Sequence, residues 1–324
     1  MKRARPSDGG GGGDLALDFA AAARRVRPLA WRTPILPLEV PGAARVAAKL
    51  ESLQHTGSFK VRGATNCMLK LTPAERGAGV VAASSGNHGR AVAEVARRLE
   101  AAATICVPDW VDPSKLRGIR ASGASVVLAG PSYDEAEERA AALASSRGMT
   151  LVHPFDDLDV IEGQGTIGFE IVEQFEGVEE VIVPLSGGGL AAGIGLAVQD
   201  RGVRVVAVSA RRASVMVRSL AEGRPVQLPD EDTLASALSG GIGLDNRFTY
   251  DVCGRVISEH VVVTEREVRA AVRRAFHEYR LVVEGGGAVG LAALWSGRYL
   301  PGGPAAVVVS GGNLDLGRLA ELIA

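Results

Sequence analysis

The stretch Gly57-Ser58-Phe59-Lys60-Val61-Arg62-Gly63-Ala64 is the feature around which the chain is organised. Its small residues predict a turn, and the residues that follow Lys60 predict a helix. A lysine at such a place can act as a nucleophile, because burial and the positive end of a helix both lower the pKa of its ammonium group. A lysine after a turn is also a common surface residue. The stretch alone therefore leaves both interpretations open.

The composition limits what the protein can bind. The chain has 324 residues, of which 47% are hydrophobic and 23% charged, and this predicts one large or two moderate globular domains. Its formal net charge of −1 provides no basic field for nucleic acid or an acidic membrane surface. No apolar run reaches the roughly 18 residues of a membrane-spanning helix. We therefore expect neither a nucleic-acid partner nor a membrane.

Cysteine usage and the N-terminus predict the compartment. Cys67, Cys106 and Cys253 are far apart and odd in number, as expected for reduced thiols in the cytoplasm. The basic first residues are followed by the run Gly9–Gly13, where a signal peptide would need an apolar segment. Residues 1–13 are predicted to be a disordered tail. The histidine spacing matches no metal-binding motif.

Strand-like and helix-like segments alternate along most of the chain. This alternation predicts parallel-rich twisted sheets with helices on both faces, arranged as two α/β units with a cleft between them. The predicted strands are Arg45–Leu50, Val80–Ala83, Thr104–Val107, Ser125–Leu128, Glu180–Leu185, Arg204–Ser209, Val261–Thr264 and Ala305–Ser310. The predicted helices are Asp14–Val26, Lys60–Leu71, Arg90–Glu100, Pro113–Ala121, Tyr133–Ser146, Thr166–Phe175, Leu190–Asp200, Ser214–Glu222, Glu265–Arg280, Ala288–Ser296 and a short helix after the Ser310 loop.

Two glycine turns follow predicted strands and open predicted helices. In Ser84-Ser85-Gly86-Asn87-His88-Gly89 the N–H groups at the start of a helix would favour an anion such as a carboxylate. An ordinary turn with Asn87 as the helix N-cap is the alternative. In Ser186-Gly187-Gly188-Gly189-Leu190 successive glycines would let the backbone surround a phosphate group.

The second glycine turn also leaves a competing cofactor open. No Gly-Lys-Ser/Thr follows it, which excludes a Walker nucleotide loop. Gly187-x-Gly189-x-x-Ala192 fits a dinucleotide fingerprint loosely, and Arg211 and Arg212 after the next strand could bind a 2′-phosphate. An NADP-dependent reductase is therefore an alternative. A third turn, at Ser310-Gly311-Gly312-Asn313, is by itself an ordinary strand-to-helix loop.

Together, the lysine stretch and the three turns resemble the fold-type II pyridoxal-phosphate enzymes, the group of threonine and serine dehydratases and serine racemase. The resemblance implies a two-domain fold like that of the tryptophan synthase β subunit. It places residues 14–65 and 153–324 in a large domain that anchors the cofactor, and residues 66–152 in a small inserted α/β domain. Pro154-Phe155-Asp156-Asp157 and Glu284 also resemble family segments, with no chemical role expected for the first and a capping or supporting role for the second.

The resemblance also implies roles for residues. Lys60 would carry pyridoxal 5′-phosphate as a Schiff base, Asn87 would contact its phenolic oxygen, and Ser310 would face its ring nitrogen. Ser85 would be a proton donor opposite Lys60. The implied cofactor-binding residues are Phe59, Lys60, Asn87, Ser186, Gly187, Gly188, Gly189, Leu190 and Ser310. The implied substrate-binding residues are Ser84, Ser85, Gly86, Asn87 and His88, with His88 fixing the loop and not acting as a base.

The implied activity is a lyase reaction of amino acid metabolism. The resembled dehydratases eliminate water from a β-hydroxy-α-amino acid, such as L-threonine or L-serine, and hydrolysis of the product then gives a 2-oxo acid and ammonia. A serine or amino-acid racemase, a dehydratase of the hydroxyectoine-utilisation branch and a non-catalytic protein that binds pyridoxal phosphate are the alternatives. Ser209 and Ala210 stand where some members carry metal-binding acidic residues, so no metal is expected. The resemblance implies a homodimer or homotetramer.

Overall fold

The strands form two sheets in a computed structural model that describes residues 15–84, 86–109, 111 and 113–324. The strands are β1 (Ile35–Leu38), β2 (Val46–Leu50), β3 (Val80–Ala83), β4 (Ala103–Val107), β5 (Ser125–Leu128), β6 (Thr150–Leu151), β7 (Glu180–Pro184), β8 (Arg204–Ala210), β9 (Glu259–Val263) and β10 (Ala305–Val309). The larger sheet has the order β1-β2-β10-β7-β8-β9, and the smaller has the order β5-β4-β3-β6. Within them only β1 pairs antiparallel, with β2.

Helices connect the strands and cover the sheets. They are α1 (Phe19–Val26), α2 (Lys60–Leu69), α3 (Pro73–Ala78), α4 (Asn87–Arg98), α5 (Pro113–Ala121), α6 (Tyr133–Arg147), α7 (Leu158–Gln174), α8 (Gly189–Val198), α9 (Val215–Glu222), α10 (Thr249–Val256), α11 (Glu265–Tyr279), α12 (Gly285–Trp295) and α13 (Leu316–Ile323). Helices α3, α6 and α11 begin with capping boxes, formed by Thr72, Ser132 and Thr264 with a glutamate three residues later. None of the helices described is long and apolar enough to cross a bilayer.

The large sheet is buried on both faces. Successive residues of a strand point to opposite faces, so β10 contributes Val307 and Val309 to one core and Ala306 and Val308 to the other. The first core includes residues of α11 and α12, and the second includes residues of α7 and α8. Burial on both faces explains why β10 is a continuous apolar run instead of an alternating one.

Helix α7 lies unusually close to its neighbours. A Cβ atom on Gly163 would lie 2.7 Å from the carbonyl oxygen of Arg62 in α2, and one on Gly193 in α8 would overlap the carbonyl oxygen of Ile161. These glycines are therefore contact points between helix backbones. The prediction that this helix starts at Thr166 was wrong by two turns, because Gly163 and Gly165 are typical of a loop in sequence.

The predicted fold class is confirmed, and most predicted strands and helices lie within a few residues of the observed ones. The sequence analysis missed β1, α3, the two-residue β6 and α10. The N-terminal helix is shorter than predicted, because Asp18 caps it and accepts a hydrogen bond from the N–H of Ala21. The division into domains stays a prediction, and the predicted disordered tail, residues 1–13, lies outside the described residues.

Candidate active site

Lys60 is the first residue of α2, and its side chain is half-buried. Its Nζ donates a hydrogen bond of 2.6 Å to the carbonyl oxygen of Pro154 and lies 5.1 Å from the centre of the Phe59 ring. Burial lowers the pKa of the Lys60 ammonium group from 10.5 to about 8. Near neutral pH part of the Lys60 population is therefore unprotonated and able to attack a carbonyl carbon.

The turn before Lys60 is fixed by the loop that follows β10. The N–H of Phe59 donates to the carbonyl oxygen of Ser310, and the N–H of Gly312 donates to that of Gly57. Ser58 and Gly311 form an antiparallel bridge. Ser310, which the sequence assigned to the cofactor ring, is therefore held next to the residue that precedes Lys60.

A side-chain network joins three segments beside this loop. The Asn87 amide donates to Glu284 Oε1 at 2.6 Å, and the Asn313 amide donates to Asn87 Oδ1 at 2.7 Å. A Cβ atom on Gly311 would overlap Glu284 Oε1, so this glycine lets the network close. The structure thus brings Asn87 to the Ser310 loop. The N-cap of α4 is Gly86 and not Asn87, so the alternative of a cap by Asn87 was wrong.

The loop of Ser186 and three glycines leads into α8. Gly188 is the N-cap of this helix and has φ +89°, a conformation that glycine adopts without strain. Cβ atoms on Gly187 and Gly189 would run into Phe155. The Ser186 hydroxyl donates to the carbonyl oxygen of Leu238 at 2.9 Å. The first N–H groups of α8 therefore lie at the turn that the family resemblance assigns to a phosphate group.

Of the predicted substrate loop, Ser84 and His88 are buried, and Ser85 lies outside the described residues. The Ser84 hydroxyl accepts a hydrogen bond from the N–H of Gly86 at 3.2 Å. His88 Nε2 lies 2.8 Å from the carbonyl oxygen of Val152 and so must carry the proton. Burial, together with the charge of Lys60, lowers the pKa of His88 to about 3. The neutral ring thus ties the loop to residue 152, and the loop-fixing role of His88 stays a prediction.

Replacement of His88 with glutamine is expected to reduce the sensitivity of the protein to acid. The folded protein disfavours protonated His88, so unfolded chains bind this proton between pH 6.5 and 3, and stability is lost as the pH falls through that range. From pH 7.5 to 5 the parent should lose about 2 kcal/mol more unfolding free energy than His88→Gln. Urea unfolding at both pH values measures this, and equal losses in the two proteins would contradict it.

The sequence analysis missed the chemical part of the segment Pro154–Asp156. It assigned no chemistry there, yet the Pro154 carbonyl accepts the bond from Lys60 and Phe155 packs on the glycine loop. The Asp156 carboxylate accepts bonds from the N–H groups of Arg247, Phe248 and Thr249, at 2.7–2.9 Å. Asp156 therefore holds the segment against the start of α10. An aspartate two residues after a proline was a detectable turn signal, but its partners are too distant in sequence to predict.

The chain matches a family model along most of its length. The model for "Pyridoxal-phosphate dependent enzyme" matches residues 26–311. The chain belongs to this family. The predicted family and the predicted cofactor, pyridoxal phosphate, are thus confirmed, and the NADP reductase alternative is wrong.

Relatives of this pyridoxal-phosphate enzyme include proteins of known name and a solved structure. A candidate threonine dehydratase from Sinorhizobium fredii is 42% identical, with 96% of each chain covered. The L-threonine ammonia-lyase of Thermotoga maritima is 38% identical, with 94% of this chain and 77% of the relative covered. The structure of maize serine racemase has a TM-score of 0.87 and 30% identity, with 94% of each chain covered.

The described residues fit pyridoxal phosphate. Lys60 supplies a partly unprotonated amine, and the glycine turn at 187–189 opens helix α8, whose first N–H groups can bind a phosphate. The Ser58 hydroxyl is buried without a hydrogen-bond partner among the residues that the structure describes. Because an unsatisfied buried hydroxyl costs roughly 1–3 kcal/mol, a polar ligand beside Lys60 would be favourable. Nowhere in the described residues are three His, Cys, Asp or Glu side chains placed to hold a metal ion.

Proposed function

We propose that this protein is a pyridoxal-phosphate-dependent dehydratase that converts a β-hydroxy-α-amino acid, such as L-threonine or L-serine, into a 2-oxo acid and ammonia. One observation carries the proposal: the Lys60 amine and the glycine loop meet at adjacent residues, Pro154 and Phe155. An amine and a glycine turn at a helix N-terminus that contact the same short segment suit one aldehyde-bearing phosphate ligand. The names of the Sinorhizobium and Thermotoga relatives support threonine as a substrate.

The proposed roles of the residues follow from their positions. When bound, pyridoxal phosphate supplies an electron-withdrawing ring that makes the Cα–H bond of the substrate more acidic. Lys60 Nζ would be the base that accepts the Cα proton. Its lowered pKa keeps part of this amine unprotonated for that step. The N–H groups at the start of α8 hold the phosphate and thereby orient the substrate.

The remaining polar residues are proposed to bind and orient. The Asn87 amide has two N–H bonds, so its contact with Glu284 leaves one for the phenolic oxygen of the cofactor. Ser310 would place a hydroxyl at the ring nitrogen, which, unlike a carboxylate, does not hold that nitrogen protonated. The N–H groups at the start of α4, with Ser84 and Ser85, would bind the substrate carboxylate. His88 would keep this loop in place through Val152.

An ammonia-release screen tests the proposal. Purified protein is incubated with L-threonine, L-serine, 3-hydroxyaspartate and phenylserine, and ammonia and 2-oxo acid are measured together. We expect equal amounts of both products from at least one substrate. If the protein holds pyridoxal phosphate yet releases no ammonia from any of them, the proposed activity would be wrong.

Racemisation is the second candidate activity. The similarity to maize serine racemase favours it, and the proposed position of Ser85 opposite Lys60 would supply the second proton donor that inversion at Cα requires. Chiral chromatography of the unreacted serine in the same incubations separates the two activities. A dehydratase of the hydroxyectoine-utilisation branch would release no ammonia from any of the four amino acids above.

Assembly and location complete the proposal. We propose a homodimer or homotetramer in the cytoplasm that acts on a small amino acid. Light scattering of the purified full chain measures its mass, and a value equal to one chain would contradict the oligomer.

A further inference from the structure

Helix α2, which carries Lys60, begins without a local cap. Its N-cap residue is Phe59, whose side chain makes no capping hydrogen bond, whereas α3, α6 and α11 have complete capping boxes. The first turn of a helix leaves several N–H groups unpaired, and an end without a cap frays readily. The direction of the Lys60 side chain must therefore be fixed by contacts with other parts of the chain.

Arg62 makes such contacts from the first turn of α2, and it is fully buried. Its Nε and Nη2 each donate to Glu51 at 2.8 Å. Its Nη1 and Nη2 donate to Glu170 at 2.7 and 2.8 Å, and further bonds reach Thr166 Oγ1 and the Trp31 carbonyl oxygen. Only the planar guanidinium group can bind two carboxylates with paired N–H groups in this way.

The partners of Arg62 belong to the same framework that holds Ser310. Leu50, the last residue of β2, pairs with Val309, the last residue of β10. These strands are followed by Glu51, whose carboxylate binds Arg62, and by Ser310, whose carbonyl oxygen accepts the N–H of Phe59. The start of α2 is thus attached on both sides of Lys60 to adjacent positions of two paired strands.

A contribution to the free energy of unfolding does not explain the buried cluster around Arg62 well. Lys49 also donates to Glu170, so two cations and two carboxylates share the buried cluster. Buried ion pairs often stabilise a protein no more than apolar residues of the same volume would, because their desolvation is costly. A fixed geometry for the neighbouring lysine is a benefit that apolar packing would not supply as specifically.

We infer that Arg62 is a positioning residue for Lys60. By binding Glu51 and Glu170, Arg62 holds the first turn of α2 in place and so orients the Lys60 amine. The two side chains are two residues apart and so leave the helix on opposite sides, about 200° apart. The bonds that hold Arg62 on one side therefore fix the rotation of the first turn, and with it the direction of the amine on the other side. The role of Lys60 in this inference rests on the proposed function.

The test compares Arg62→Lys with Lys49→Met in the holoenzyme. Arg62→Lys keeps the charge and loses the paired geometry, whereas Lys49→Met disturbs the same cluster without touching α2. We expect Arg62→Lys to lower kcat by about 10- to 100-fold with KM changed less than about threefold, as misalignment of a reacting group does. The visible absorption band of the cofactor should shift, and less of it should be trapped on Lys60 by borohydride. Lys49→Met should lower the melting temperature only.

Parental kcat and absorption band in Arg62→Lys would overturn the inference, as would equal losses in both variants at equal folded fraction. If Arg62→Lys does not fold, Glu51→Gln removes one charge of the buried cluster and should show the same spectral change in milder form. The absorption band and the borohydride trapping do not depend on ammonia release. A parent that releases no ammonia would therefore refute the proposed function while these two measurements still decide the role of Arg62.

Discussion

Replacement of Lys60 with alanine should lower the rate of ammonia release by about four orders of magnitude or more, because one amine both links the cofactor and moves the Cα proton. The fold should survive. The side chain is half-buried and, among the described residues, bonds to the Pro154 carbonyl oxygen; its removal relieves the desolvation that lowers the pKa of the amine. Steady-state ammonia assays, with circular dichroism of both proteins, measure the two effects.

Lys70→Ala is the matched control for this variant. Lys70 follows the last residue of the same helix, is partly exposed and pairs with Asp159 and the buried Glu162. Glu162 keeps its bonds from Arg25 and Asn66, so the loss of Lys70 should leave the activity unchanged. Borohydride reduction followed by peptide mass analysis should find the cofactor on residue 60 in the parent and in Lys70→Ala. A Lys60→Ala protein that turns over at the parental rate would refute the mechanism.

Replacement of Gly188 with alanine should weaken the binding of pyridoxal phosphate by about 10- to 100-fold, an effect of roughly 1–3 kcal/mol from overpacking. The new Cβ atom would lie 2.8 Å from the Sγ of Cys253 and 2.9 Å from the Cε of Met216. Both neighbours are buried, so the loop must move away from the start of α8. Titration of the cofactor-free protein with pyridoxal phosphate, followed by visible absorbance, gives the affinity.

Gly223→Ala separates this effect from backbone strain. Gly223 also has a positive φ, of 70°, but a Cβ atom there would meet nothing within 4 Å. Both variants therefore carry the cost of a left-handed alanine, and only Gly188→Ala crowds the proposed phosphate loop. Equal affinities in the two variants would mean that the phosphate is bound elsewhere.

Patterns in the sequence predicted the turns that form the site because each is local. A buried strand that ends in small residues and leads into a helix is visible at Leu185–Leu190 and at Val309–Asn313 without knowledge of distant residues. The start of α2 at Lys60 was predicted for the same reason and is confirmed.

Contacts between distant segments were not predictable in this way. The Pro154 carbonyl is an acceptor that every residue possesses, and nothing local distinguishes it as the partner of Lys60. The glycines of α7 suggested a loop because their purpose, close contact with α2 and α8, lies in tertiary packing. Arg62 showed no sign of its four-charge cluster, whose acidic members stand at positions 51 and 170.

The central place of β10 has a consequence for the order of assembly during folding. This strand comes late in the chain, yet it occupies the interior of the six-stranded sheet between β2 and β7, which are synthesised long before it. Its insertion closes a long loop, which is a slow event in folding. Until it inserts, the turn at Lys60 lacks the Ser310 carbonyl that fixes it. A nascent or refolding chain should therefore bind its cofactor only in the last stage of folding.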